Sequence, residues 1–376
     1  MHSRADSAFN KDETLMRPRP VPTQLLAVCF VTGSLCGCGG RTAVEPKPEE
    51  HAPGQEMTIE EIQFRHGDNL LAGSLYRPGR PGRHPAVALV IGSGARDRAY
   101  GGAGPALGRH FARSGFVCLA WDKPGVGRST GDFNAQTFRD RAEESLAAVS
   151  FLRQRPDVRH DQVGLWGHSQ GGMVAPLAAS LSDQVAFVIE VSGWQGAAWR
   201  QDAVRVEAEL RADGFSEADV REATAFARLR MDLIRGTGPY EELARAQEKM
   251  KGQPWFKSVQ LCDRTLFDAA RRVVEHDTGP SWEQVRCPVL VIYGDKDTSS
   301  GPPDELVATI RRGLVKGGND DVTVRIFAGA DHSLCRSEAG GRKEALAKAP
   351  KSDVTPDFVP GFLDLMTAWL RQRFGP

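Results

Sequence analysis

From residue 57 onward, short apolar runs bounded by Gly, Pro or Asp recur along the chain, with amphipathic stretches between most of them. Strands are expected at 57–64, 70–76, 86–91, 116–121, 162–166, 185–191, 289–293 and 322–327. The last six are nearly unbroken in apolar residues, as in AVALVI and VLVIY, which is the pattern of strands covered on both faces. The first two alternate polar with apolar and have no helix between them, which predicts an antiparallel edge. Helical periodicity marks 106–113, 137–153, 172–180, 305–315 and 360–373. Alternation of this kind predicts an α/β fold: a mostly parallel eight-stranded sheet with helices on both faces.

One interval breaks the rhythm. About 95 residues separate the sixth strand from the seventh, far more than the dozen or so that a crossover requires. The excess, 197–272, is highly charged and helical in pattern, and Ser216 with Asp219 three residues on offers a helix start. It is expected to be a helical cap inserted over the sheet, with a solvated helical hairpin away from the site as the alternative. Trp194, Trp199, Trp255, Phe256 and Trp282 lie in or near it; they either line an apolar pocket or form the cap's own core.

Ahead of the first strand the pattern differs. An apolar run, 25–35 (LLAVCFVTGSL), follows Arg17 and Arg19, a basic segment and short apolar stretch of the kind that directs export. The run ends in Leu35-Cys36-Gly37-Cys38, which resembles a bacterial lipobox with Cys38 as the lipidated residue. Residues 1–38 are therefore expected to be a signal peptide with lipobox, and the Pro- and Glu-rich 39–56 a flexible tether. Residues 57–376 form the main domain. The expected address is a membrane surface of the bacterial envelope, reached through the lipid anchor; an ordinary signal peptide and a secreted or periplasmic protein are the alternative.

Composition narrows the function further. Of 376 residues, 40% are hydrophobic, enough for a sizeable core. Lys and Arg number 48, as do Asp and Glu, so the chain carries no net basic footprint for nucleic acid. Three of the seven cysteines (Cys29, Cys36, Cys38) lie in the leader; Cys118, Cys262, Cys287 and Cys335 show no C-x-x-C spacing, which speaks against a zinc site.

The chemistry is expected at strand ends. Gly167-His168-Ser169-Gln170-Gly171 follows QVGLW and precedes a helical run, matching G-x-S-x-G in the strand–turn–helix setting it needs. Such a turn strains the serine backbone and lifts its Oγ to a helix N-terminus that favours developing negative charge. His168 in the variable slot is expected to be structural or to line the access route.

With VALVIGSGARDR, LAWDKPGVGRSTGDF, VLVIYGDKDTSSGP and FAGADHSLC also present, the chain resembles the α/β-hydrolase superfamily over about residues 57–376. The likeness is to bacterial serine esterases with a G-S-G-x-x-D-R loop, related to the serine aminopeptidase and prolyl oligopeptidase branches. The resemblance implies a nucleophile–acid–base order of Ser169, Asp297, His332, separated by 128 and 35 residues. It also implies an oxyanion hole made of the backbone N–H groups of Gln170 and Ser93. Gly92 and Gly94 would let that loop approach the substrate, and Asp97 with Arg98 is expected to brace it. Asp297 holds the family's G-x-x-D spacing; Asp295 is expected to cap the turn, and Asp331 is too close to its neighbour His332 to reach around to the imidazole.

The implied activity is hydrolysis of carboxylic esters through an acyl-enzyme, with a small-molecule ester as partner and no metal or organic cofactor. A peptidase, amidase or thioesterase on the same triad is the alternative within enzymes. A catalytically silent envelope-binding lipoprotein is the alternative of another class.

Overall fold

A computed structural model describes residues 56–259, 261–348 and 355–375. The expected leader, with Cys38, and all of the expected tether except Glu56 lie outside them. The eight strands are β1 (Met57–His66), β2 (Asn69–Pro78), β3 (His84–Val90), β4 (Val117–Trp121), β5 (Val158–His168), β6 (Val188–Val191), β7 (Val289–Gly294) and β8 (Val322–Phe327). They form one sheet in the order β1-β2-β4-β3-β5-β6-β7-β8. β2 is antiparallel to both β1 and β4, and every later pair is parallel.

Eleven α-helices are present among the described residues: α1 (Ala103–Arg113), α2 (Phe138–Arg153), α3 (Gln170–Leu181), α4 (Gln201–Ala212), α5 (Glu217–Arg235), α6 (Tyr240–Met250), α7 (Arg264–Val273), α8 (Gly279–Trp282), α9 (Pro303–Lys316), α10 (Arg342–Lys348) and α11 (Phe362–Phe374). Strand alternation decides which helix covers which face. Val87 and Leu89 of β3 point to the side packed by α1 and α11, where Phe111, Phe362, Met366 and Trp369 are buried. Ala86, Ala88 and Val90 point to the other side, packed by α2, α3 and α9 through Val149, Val174 and Ile310. All five helices expected in the main domain are present. Thr137 caps α2, its hydroxyl accepting the Asp140 amide while the Asp140 carboxylate accepts the Thr137 amide.

β5 begins at Val158, earlier than its apolar run, because Val158 still pairs with His84 beyond a register shift. The long interval holds α4–α8. α5 opens at Ser216, whose hydroxyl accepts the Asp219 amide. Trp255 and Phe256 are buried with Val206, Leu210 and Phe226 in a local core, while Trp194 and Trp282 belong to the main core. These aromatics therefore take the packing role.

Candidate active site

β5 ends at His168, α3 starts at Gln170, and Ser169 between them has φ 57 and ψ −123. A side chain at Gly167 would collide with the Gly171 carbonyl oxygen, and one at Gly171 with that of Val90. Only glycine therefore lets the strand, the turn and α3 close this tightly on β3.

The structure brings the three expected side chains together. His332 Nε2 lies 2.9 Å from Ser169 Oγ, and its Nδ1 lies 3.0 and 3.1 Å from the two oxygens of Asp297. The Asp297 side chain is fully enclosed. Its Oδ1 also accepts the Ser299 and Ser300 amides, each at 2.9 Å. Burial alone would raise the Asp297 carboxyl; the charge and hydrogen bond of His332 and the two amides hold it below the usual range. For His332 burial acts downward, yet the Asp297 charge and hydrogen bond hold the imidazole above its ordinary value. Ser300 Oγ donates to the Ser192 carbonyl at 2.6 Å and lies 3.2 Å from Nδ1, so its oxygen is a further acceptor on the same side of the ring.

Neither neighbouring acid is within hydrogen-bond reach of the imidazole. Asp295 accepts the Gly329 amide at 2.8 Å, tying its loop to the turn after β8 rather than to its own backbone. Asp331 accepts the Ser333 and Cys335 amides at 2.8 and 3.0 Å.

The loop after β3 is gripped by two buried basic side chains, Lys123 and Arg141. Arg141 Nη2 donates to the Ile91 carbonyl at 3.0 Å, and Lys123 Nζ donates to the carbonyls of Gly92 and, at 2.8 Å, Gly94. In a trans peptide the N–H points opposite to the C=O. Drawing the Gly92 carbonyl toward Lys123 therefore turns the Ser93 N–H the other way. Among the described residues that amide has no hydrogen-bond partner, and Ser93 lines the cavity beside Ser169. Gln170 opens α3, so its amide has no intrahelical partner either. Burial pushes Lys123 down to about 5 and Arg141 to about 10. Phe133 lies against both, its ring centre 4.2 Å from Nζ and 5.3 Å from the guanidinium carbon. The nearby carboxylate of Glu144 is held by Trp121 Nε1 and Gln136 Nε2, each at 2.6 Å. The only sequence signal for Lys123 was its place in Asp-Lys-Pro-Gly, which reads as a turn.

Arg98 does not pair with Asp97. Its guanidinium reaches Glu61 at 2.6 Å and Asp122 at 3.4 Å, while Asp97 accepts the Ala99 and Tyr100 amides. The loop is braced, but from β1 and the end of β4.

A cavity of about 310 Å³ opens beside Ser169. Leu107, Trp166, Phe358 and Phe362 give it an apolar wall, and Arg96 and Asp331 are among its charged lining. No residue of 197–272 lines it. The described residues contain no group of His, Cys, Asp and Glu suited to hold a metal ion. No described helix is long and apolar enough to cross a membrane.

Comparison with known proteins adds to this geometry. A model of the alpha/beta hydrolase family matches residues 70–342. A thiohydrolase of Aspergillus aculeatus is 30% identical over 152 residues, 40% of this chain; the match spans 46%, under half, of that protein's length. Among solved structures, the alpha/beta hydrolase GrgF from Penicillium sp. sh18 superposes with a TM-score of 0.51 at 18% identity, covering 85% of this chain and all of that one. An esterase of Pyrococcus furiosus gives 0.51 at 15% identity, covering 86% of this chain and 92% of that one. At these identities the structural likeness is one of fold.

Proposed function

The chain belongs to the alpha/beta hydrolase family, and from that premise we propose that it is a serine hydrolase cleaving carboxylic esters through an acyl-enzyme. The observation that carries the proposal is the unbroken line from Ser169 Oγ through His332 to the enclosed Asp297, at 2.9 and 3.0 Å. In the resting state Nδ1–H donates to Asp297, leaving Nε2 free to accept from the Ser169 hydroxyl. As Oγ attacks the ester carbonyl, its proton passes to Nε2. The carbonyl oxygen becomes an oxyanion facing the Ser93 and Gln170 amides, each such donor being worth about 3 kcal/mol in the barrier. The imidazolium then protonates the departing alkoxide. A water molecule, deprotonated by the same ring, attacks the acyl-serine and releases the carboxylic acid and Ser169.

Two observations bear on the substrate. Leu107, Trp166, Phe358 and Phe362 give the cavity an apolar side, which suits a hydrocarbon acyl group. Its one lining carboxylate, Asp331, already accepts two backbone amides, which speaks against a dedicated seat for a peptide amino terminus. Thioester cleavage is the second reading, favoured by the partial similarity to a thiohydrolase. A fluorophosphonate probe on folded protein tests the nucleophile: labelling of Ser169 is expected, and its absence returns the chain to the silent, binding class. A panel of p-nitrophenyl esters, acyl thioesters and aminoacyl p-nitroanilides then separates ester, thioester and amide chemistry.

We further infer an exported lipoprotein anchored through Cys38, on the strength of the Arg17–Leu35 leader pattern. Labelled palmitate should enter the wild type and spare Cys38→Ala; equal incorporation would refute the anchor.

A further inference from the structure

His168 holds the variable position of the Gly-His-Ser-Gln-Gly turn, and it is buried at 7% exposure. Its Nε2 lies 2.8 Å from the His332 carbonyl oxygen, which can only accept, so Nε2 carries the proton. In a neutral ring Nδ1 is then an acceptor, and it lies 2.7 Å from the Tyr100 hydroxyl, which must donate to it. The Tyr100 oxygen in turn accepts the Gly92 N–H at 3.1 Å. Each link fixes the direction of the next. The protonation states agree: burial, helped by the nearby His332, pushes His168 down to about 3, and burial raises Tyr100 to about 12.

We propose that Tyr100 and His168 are positioning residues, a relay of three hydrogen bonds that locks the oxyanion loop to the backbone of the general base through the nucleophile's own neighbour. The proposal rests on the serine-hydrolase reading above. The relay does two things. It occupies the Gly92 N–H, so the amide left for the oxyanion is that of Ser93. It also fixes the His332 main chain, and with it the reach of Nε2 to Ser169. The surroundings leave little slack: the Trp166 ring stacks on His168 at 5.9 Å and 14°, and the His332 ring centre is 5.0 Å away. A Cβ on Gly92 would collide with the Tyr100 hydroxyl and stand 3.0 Å from the Ser169 Cβ. His168 is also barred from acting as a rival base, because both its nitrogens are engaged.

Tyr100→Phe removes the central hydroxyl and keeps the ring. With a short-chain p-nitrophenyl ester, kcat should fall roughly 10- to 100-fold while KM stays within about twofold, the signature of lost alignment rather than lost binding. A trifluoromethyl ketone, which adds to Ser169 and forms an oxyanion, should lose affinity by the same factor; the matching methyl ketone should not. In Gln the side-chain amide nitrogen is as many bonds from Cα as imidazole Nε2, so His168→Gln should keep the donor to the His332 carbonyl and retain more activity than His168→Ala. A kcat loss below threefold in Tyr100→Phe, or equal weakening of both ketones, overturns the relay. Fluorophosphonate labelling of the wild type separates the failures: an unlabelled wild type sinks the hydrolase reading, whereas a labelled wild type with unaffected variants sinks only the relay.

Discussion

Replacing Asp297 by Asn changes one group and reverses the proton inventory of the ring it holds. Asp297 Oδ1 receives the Ser299 and Ser300 amides as well as His332 Nδ1. An Asn carbonyl must stay on those two donors, because an amide NH₂ facing two N–H groups is repulsive and buried. Its NH₂ then points at Nδ1, which has to become an acceptor. The proton moves to Nε2 and faces Ser169 Oγ, where a base is needed. The expected loss in kcat is roughly 10⁴-fold, the tautomer penalty seen for this substitution in another serine hydrolase, or about 5 kcal/mol of barrier. The residual activity carries a second signature. His332 is useful only when neutral, so activity falls as pH drops through its pKa, which the Asp297 charge holds above the ordinary 6.5 against the downward pull of burial. Without that charge the burial effect remains, and the acid limb of kcat/KM should move to lower pH. The assay is p-nitrophenyl acetate hydrolysis from pH 5 to 9, with Asp295→Asn as the control. Asp295 accepts the Gly329 amide rather than the imidazole, and its replacement should cost less than tenfold. A variant Asp297→Asn retaining a tenth of wild-type turnover, or a crippled Asp295→Asn, would refute the reasoning.

Lys123→Met should lower turnover roughly 10- to 100-fold by releasing the Gly92 and Gly94 carbonyls. Burial lowers the Lys123 pKa from 10.5 to about 5, so between those values the unfolded chain binds the extra proton and the contribution of this group to stability grows with pH; urea melts should show the wild type gaining on the variant from pH 7 to pH 10, and a constant difference would contradict this. Ala103, at the start of α1, lines the cavity; Ala103→Phe should cut kcat/KM for an octanoate ester about tenfold more than for an acetate ester, and equal losses would place the acyl chain elsewhere. Trp255→Ala should cost about 3 to 5 kcal/mol of stability yet leave the octanoate-to-acetate ratio unchanged, because Trp255 is buried in the local core of α4, α5 and α6 and does not line the cavity; a shifted ratio would return the insertion to the substrate's side.

The eight strands and the Gly167–Gly171 turn were legible because each is a local signal: an apolar run, or glycines framing a serine. Asp297 was singled out over Asp295 and Asp331 by its spacing after β7, and it is the carboxylate that the structure sets against His332. What stayed hidden depends on contacts across the sheet. Tyr100 meets His168 from 68 positions away, and Lys123 meets Gly92 from 31; no periodicity joins such pairs. The bracing of Arg98 was misassigned for the same reason, since Asp97 is adjacent in sequence but Glu61 and Asp122 are adjacent in space. The aromatic residues around the insertion could be read either way because a pocket wall and a small core draw on the same side chains. The polar start of β5 was missed because its tie to β3 is a backbone pairing that leaves no apolar trace.

Ser169 and its base are separated by 163 residues. Every strand after β5 pairs with the one made just before it, so β6, β7 and β8 can join the sheet in the order of synthesis. His332 follows β8, and the cavity-lining Phe358 and Phe362 come later still. At about 5 to 20 residues per second on the ribosome, the serine waits roughly 10 to 30 seconds before its base is translated. Throughout that time the growing chain holds Ser169 without the imidazole that the proposed mechanism needs. On the proposed mechanism, a chain cut short before residue 332 lacks the base that Ser169 requires, so the order of the fold itself delays activity until the last strand is made.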